Sequence, residues 1–183
     1  MVIGFLGSFV PYASLLSLVG LILLLIGLKG LSSFYKEDGI FNNALYAIIT
    51  GIVGVVVAVA SLAITAVSAL AAIGFDFNNI EEWAAIGSEF GNIFASLEFS
   101  TIWTLISAVV IALLILFVFV IISMYFFRKS MNQLSSKTGV GLFGTAGLLM
   151  LIGGVLTIVV VGILLIWIGL ILATAAFFMM KET

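Results

Sequence analysis

The feature that most constrains this chain is its longest uncharged run: Val140 to Met180 spans 41 residues without a charged side chain. One helix of that length would measure about 60 Å, twice the ~30 Å hydrocarbon core of a bilayer. Two helices joined by a tight turn near Val161 and Gly162 fit the run better. The run therefore predicts two transmembrane spans, at 140–160 and 163–180, with a single span as the alternative.

Three further apolar runs precede it and predict spans at 11–28, 45–74 and 101–127. Each reaches the ~18 residues that mark a candidate transmembrane helix. Hydrophobic residues make up 64% of the chain and charged residues 8%, whereas about a quarter of a soluble domain is charged. The predicted fold class is an all-α integral membrane protein in one domain: a bundle of about five transmembrane helices, or four in the alternative, plus one amphipathic extracytoplasmic helix.

The amphipathic helix is predicted in the segment 75–100, which carries five carboxylates and no basic residue. Apolar residues recur there at three- and four-residue steps, and acidic residues take much of the other face. Solvated surface carboxylates are one interpretation, and a paired-glutamate site for a divalent cation is the other. We expect an outer docking surface made of Glu81, Glu82 and Glu89.

All basic residues lie outside these apolar and acidic stretches. Lysines occur in the predicted loop 29–44, and the predicted loop 128–139 is the most basic part of the chain. Because positive charge is retained on the cytoplasmic side, both loops are expected in the cytoplasm. The chain would then cross the cell membrane several times, with its N-terminus outside the cell and its C-terminus in the cytoplasm. Topogenic charge or contact with lipid headgroups explains the basic patch of Arg128, Lys129 and Lys137.

Small residues recur at four-residue spacing in the second span, and glycines recur in the fourth. Small side chains let transmembrane helix backbones approach closely, which is how such helices associate in lipid. The pattern predicts helix packing or oligomer contacts at Ala47, Gly51, Gly54, Ala58, Gly144 and Gly147.

The sequence does not contain the residue types that several classes of chemistry require. Cysteine and histidine are absent, which removes thiolate nucleophiles, Cys/His metal sites and imidazole acid–base catalysis. The predicted spans contain no ionisable residue except tyrosines near their ends, and intramembrane charges normally mark coupled transport pathways. Gly139, Gly141 and Gly144 give G-x-G-x-x-G without a preceding strand, which indicates helix packing. We expect no enzyme, cofactor, metal or nucleic-acid partner.

Two stretches carry a family resemblance: LKGLSSFYKEDGIFNNALYAIITGIVG, from Leu28, and KTGVGLFGTAGLLMLIGGVLTIVVVGILL, from Lys137. They resemble an archaeal multi-pass membrane family that is a domain of unknown function, and the resemblance covers nearly the whole chain. It implies the cytoplasmic membrane of an archaeon. It supplies no catalytic residue, substrate or partner.

Two functional hypotheses remain. The first is a non-enzymatic structural or accessory protein that assembles with itself or with other membrane subunits through small-residue helix faces, with membrane lipid around it. The second is a passive channel or uncoupled carrier for a small solute. Its support is the hydroxyl-bearing face of the second span: Thr50, Ser61, Thr65 and Ser68.

Overall fold

The computed structural model describes residues 19–72, 74–79, 98–159 and 161–180, and these residues contain helices and no β-strand. A 3-10 turn, Thr157–Val159, lies between the last two helices. The α-helices in chain order are α1 (Val19–Phe34), α2 (Asp38–Ala72), α3 (Phe99–Thr138), α4 (Leu142–Leu156) and α5 (Val161–Phe178).

The helices confirm the all-α class at the level of four to five long apolar helices. Helices α2, α3, α4 with its 3-10 extension, and α5 are each long and apolar enough to cross a membrane. The described part of α1 is a shorter apolar helix, and residues 11–18 of the predicted first span lie outside the described residues. The predicted acidic helix falls mostly on residues 80–97, which are also outside them.

The uncharged run folds as two helices, as its length predicts. The break lies at Thr157–Val159, a few residues before the predicted position near Val161. Thr157 ends α4 because its backbone N–H donates to the carbonyl of Gly154, three residues earlier. Its hydroxyl also donates to the carbonyl of Gly153 at 2.8 Å, so the turn satisfies polar backbone groups locally.

Both predicted loops are largely helical, which corrects their description as loops. In the segment 29–44, only Tyr35 to Glu37 interrupt the helices, and α3 runs through most of 128–139. The predicted helices end where charged residues begin, but apolar residues continue among the charged ones. Met131 and Leu134 are fully buried, and their three-residue spacing keeps them on one helix face.

The chain reverses through residues with positive φ. Lys36 ends α1 with φ 51°, and Gly139 ends α3 with φ 73°. After α1, the N–H of Glu37 donates to the carbonyl of Ser32 and the N–H of Lys36 to that of Ser33, which is the Schellman arrangement. Glycine normally occupies such a left-handed position because a Cβ is disfavoured there.

The described chain forms two compact units. The first, here the core unit, consists of the described residues up to Thr50 and from Ile121 onward; the second, the apolar unit, is the described part of Gly51–Val120. The core unit contains a hydrophobic core to which all five helices contribute: Leu28, Ile40, Ala44, Met131, Leu134, Phe143 and Ala176. Phe143 meets Phe177 edge-on, with ring centroids 4.9 Å apart.

Candidate functional site: polar helix ends and a hydroxyl cleft

Serines join α2 to α3 in the core unit. The hydroxyl of Ser130, which is fully buried, donates to the carbonyl of Ile40 at 2.6 Å. Two helical turns away, the hydroxyl of Ser123 donates to the carbonyl of Ala47 at 2.8 Å. Since residues seven apart lie on one helix face, the two bonds align α2 and α3 antiparallel in this unit.

An amide pair reinforces the same contact. The side-chain amide of Asn43 donates to the carbonyl of Gly39 at 2.6 Å and to Oε1 of Gln133 at 2.9 Å. A Cβ at Gly39 would collide with the amide of Gln133. Gln133 therefore lies against the α2 backbone, and it fits there because Gly39 has no Cβ.

The charged residues of the core unit are partly paired. Nζ of Lys137 lies 3.1 Å from a carboxylate oxygen of Glu37, and both side chains are partly exposed. Nζ of Lys29 lies 4.9 Å from the centroid of the Phe41 ring, within cation–π range. Of the predicted basic patch, Lys137 is thus ion-paired, whereas Lys129 is exposed and Arg128 half-buried.

The apolar unit contains a cleft of about 250 Å³. Thr65 and Ser68, two of the four hydroxyl residues predicted to line a pathway, lie in its wall. Their hydroxyls donate to carbonyls of their own helix, at 3.0 and 2.9 Å, so they present oxygen lone pairs to a ligand. The full lining is Thr65, Ser68, Ala69, Ser100, Thr101, Thr104 and Leu105.

Small residues of α2 and α4 serve packing within the chain. A Cβ at Gly54 would collide with the Phe119 side chain, and one at Gly147 would lie 3.1 Å from the Cα of Arg128. Ala47 and Ala58 are buried, while Gly51 and Gly144 are half-buried. These contacts are helix packing; a role of the six residues in oligomer contact stays a prediction.

The glycines of α1 differ from those of α2 and α4 in the space around them. Among the described residues, a Cβ at Gly20, Gly27 or Gly30 would have no heavy atom of another helix within 4 Å. All three residues are exposed, and their spacing of seven and three places them on one helix face. None of the described residues therefore covers the face of α1 that these glycines form, here called the open glycine face.

Some predicted residues receive no structural test. Glu81, Glu82 and Glu89 of the predicted docking surface lie outside the described residues. Among the residues that are described, no three Asp or Glu side chains come together as a metal site would require.

Sequence reasoning missed the residues that tie α2 to α3. Asn43 lay in the predicted loop 29–44, and Ser130 and Gln133 lay in the predicted loop 128–139. The seven-residue spacing of Ser123 and Ser130 was the available signal, because it extends one face of the third span into that loop.

Four to five long apolar helices, in a chain whose described part contains helices and no strand, indicate an integral membrane protein. The family model described as "Protein of unknown function (DUF996)" matches residues 16–171, so the chain belongs to the DUF996 family. An uncharacterised protein of Methanocaldococcus jannaschii, MJ1644, is 28% identical over 182 residues, which cover 98% of this chain and 89% of that protein. No solved structure matches the chain. The resemblance to an archaeal family of unknown function is confirmed.

Proposed function

We propose that this protein is a non-enzymatic structural or accessory protein of the archaeal cell membrane, which assembles with itself through the open glycine face of α1. The observation that carries the proposal is the contrast between glycines. Gly54 of α2 and Gly147 of α4 already face a neighbouring helix, whereas no described residue of another helix lies within 4 Å of a Cβ at the three glycines of α1. A second copy of α1 could approach this face closely, and close approach stabilises helix pairs in lipid.

The charge distribution supports an orientation with the basic end in the cytoplasm. The described residues of the apolar unit include no basic residue. All described basic residues belong to the core unit: Lys29, Lys36, Arg128, Lys129 and Lys137. Positive-inside bias then places the N-terminus outside and the C-terminus inside. The apolar parts of α2 to α5 carry no charged residue, which supports a role without acid–base chemistry.

The proposal is tested by measuring the mass of the protein assembly in lipid nanodiscs. We expect the wild-type chain to form a discrete homo-oligomer and Gly27→Leu to shift it toward the monomer, since the added side chain separates the helices. Ala63→Leu is the control, because it introduces the same side chain at an exposed position of α2. A monomeric wild-type protein would contradict self-assembly, and a stoichiometric second protein would favour the accessory form of the proposal.

The hydroxyl cleft supports a second candidate, a passive channel or uncoupled carrier. Thr65 and Ser68 line a cleft that offers several hydroxyl oxygens and no charge. In liposomes, a passive pathway would give a flux of small solutes that Thr65→Leu plus Ser68→Leu abolishes. Val57→Leu, at an exposed position of the same helix, is the matched control. Absence of flux from the wild-type protein would exclude this candidate.

A further inference from the structure

The α4–α5 hairpin is short relative to the helix it packs on. A Cβ at Gly147 would lie 3.1 Å from the Cα of Arg128 and 3.0 Å from the Cβ of Met131, so this point of α4 lies beside Arg128. The turn, Thr157–Val159, follows only ten to twelve residues later. At 1.5 Å per residue, the turn is about 15–18 Å beyond the level of Arg128.

Arg128 is close to the point where α3 leaves the apolar environment. Lys129 follows it directly, and the half-exposed ring of Tyr125 lies one turn before it. Tyr46 of α2 is equally exposed and contacts the same aromatic residue, Phe126, with centroid distances of 5.7 and 5.8 Å for the two tyrosines. Tyrosines beside basic residues are typical of a membrane–water interface.

The other end of α3 carries a matching marker. Trp103 is 64% exposed, and 22 residues separate it from Tyr125 on the same helix. Over that length an α-helix rises about 33 Å, close to the ~30 Å hydrocarbon core. The two aromatic residues are therefore spaced as the two interfaces of one bilayer would require.

A full crossing by the hairpin conflicts with these markers. If the turn reached the far interface, Arg128 and Lys129 would lie about 12–15 Å inside the ~30 Å hydrocarbon core. A basic residue near the centre of a transmembrane helix strongly disfavours membrane insertion of that helix. With Arg128 at the interface, the turn instead lies near the middle of the bilayer.

A turn in the middle of the bilayer requires partners within the protein for its polar backbone groups. The turn at Thr157–Val159 meets this requirement. Thr157 donates through its hydroxyl and its N–H to carbonyls of Gly153 and Gly154. Gly153 and Gly162 bring the two helix backbones together so closely that neither position has space for a Cβ. The side chains around the turn that face outward are apolar: Ile158, Val159 and Val161.

We propose that the α4–α5 hairpin enters the membrane from the side that carries Arg128, ends inside the bilayer, and contacts the acyl chains of that leaflet. Of the described helices, α2 and α3 then cross completely. The chain still returns to the side from which the hairpin entered, as it does with two full spans. The inference rests on membrane insertion of the protein and is independent of its self-association.

The natural chain has no cysteine, so single cysteines can report depth directly. Val159→Cys marks the turn, Ser136→Cys the basic end, Phe99→Cys the far end of α3, and Leu114→Cys the midpoint between Trp103 and Tyr125; all four substituted positions are exposed. In sealed vesicles, a membrane-impermeant maleimide should label Ser136→Cys and Phe99→Cys from opposite sides and Val159→Cys from neither. A fluorophore attached to Val159→Cys before reconstitution should be quenched most by lipids with a nitroxide near the chain end, as at Leu114→Cys.

Labelling of Val159→Cys from the same side as Phe99→Cys would show a full crossing and overturn the proposal. Labelling of Leu114→Cys by the impermeant reagent would contradict membrane insertion of α3, and the proposal would fall with it. Neither result depends on the oligomer mass, so a monomeric protein with a deeply placed turn would contradict only the assembly proposal.

Discussion

The core unit and the apolar unit pack their helices in different ways. In the core unit, large side chains such as Phe143, Leu28 and Met131 are fully buried and hydrogen bonds cross between helices. In the apolar unit, the buried residues are small, and large side chains such as Ile64 and Trp103 stay exposed. Burial of large apolar side chains is driven by water, whereas helix pairs in lipid depend on close backbone approach. Both units expose large apolar side chains, for example Trp167 and Ile171 in the core unit, so the contrast concerns only the residues that each unit buries.

The strongest test of this contrast is Phe143→Ala in the core unit. Phe143 is fully buried and packs on Phe177, so its loss should lower the free energy of unfolding by about 3–5 kcal/mol. Unfolding by denaturing detergent in mixed micelles measures the change. Phe178→Ala is the control, because Phe178 is 87% exposed and should cost little. Equal losses for the two variants would contradict a packed core at this end.

In the apolar unit, the corresponding test is Gly54→Val. A Cβ at Gly54 would collide with Phe119, and overpacking of this kind costs about 1–3 kcal/mol. Ala63→Val introduces the same side chain at an exposed position of α2 and should leave the unfolding free energy nearly unchanged. If Gly54→Val unfolds at the wild-type detergent fraction, close approach does not hold α2 and α3 together in this unit.

The polar contacts of the core unit are tested by a double-mutant cycle between Asn43→Ala and Gln133→Ala. The two side chains share a hydrogen bond of 2.9 Å, and a net coupling energy of about 1 kcal/mol is expected. The same unfolding measurement on the four proteins gives this energy. Ser136→Ala is the control, since its hydroxyl donates only within α3 and is exposed. Additive losses would mean that the amide pair contributes no interaction of its own.

The smallest effect is expected at the turn after α1. Lys36 holds a left-handed conformation with φ 51°, so Lys36→Gly should stabilise the protein by up to about 1 kcal/mol. Gly139→Ala, at φ 73°, should destabilise it by a similar amount. Thermal unfolding in mild detergent compares the two. A lower transition temperature for Lys36→Gly would show that the lysine side chain contributes more than the backbone conformation costs.

Much of the fold follows from local sequence properties. The length of the uncharged run after Val140 predicted two helices, because no single helix of 60 Å fits a bilayer. The small residues predicted as packing positions at Gly54 and Gly147 do contact neighbouring helices. Helix ends were less predictable: charge suggested that α3 ends near Arg128, whereas the buried Met131 and Leu134 extend it to Thr138.

The sequence by itself determined the all-helical class of the protein at the level of four to five long apolar helices, since hydropathy and charge act locally along the chain. Only the tertiary structure decided which glycines a neighbouring helix packs against. Gly27 and Gly54 cannot be distinguished by sequence, but the Phe119 side chain lies against Gly54. It also decided that Asn43 binds Gln133, 90 residues away, and that Gly147 lies beside Arg128. Such pairings depend on how helices distant in sequence align, and no local pattern specifies that alignment.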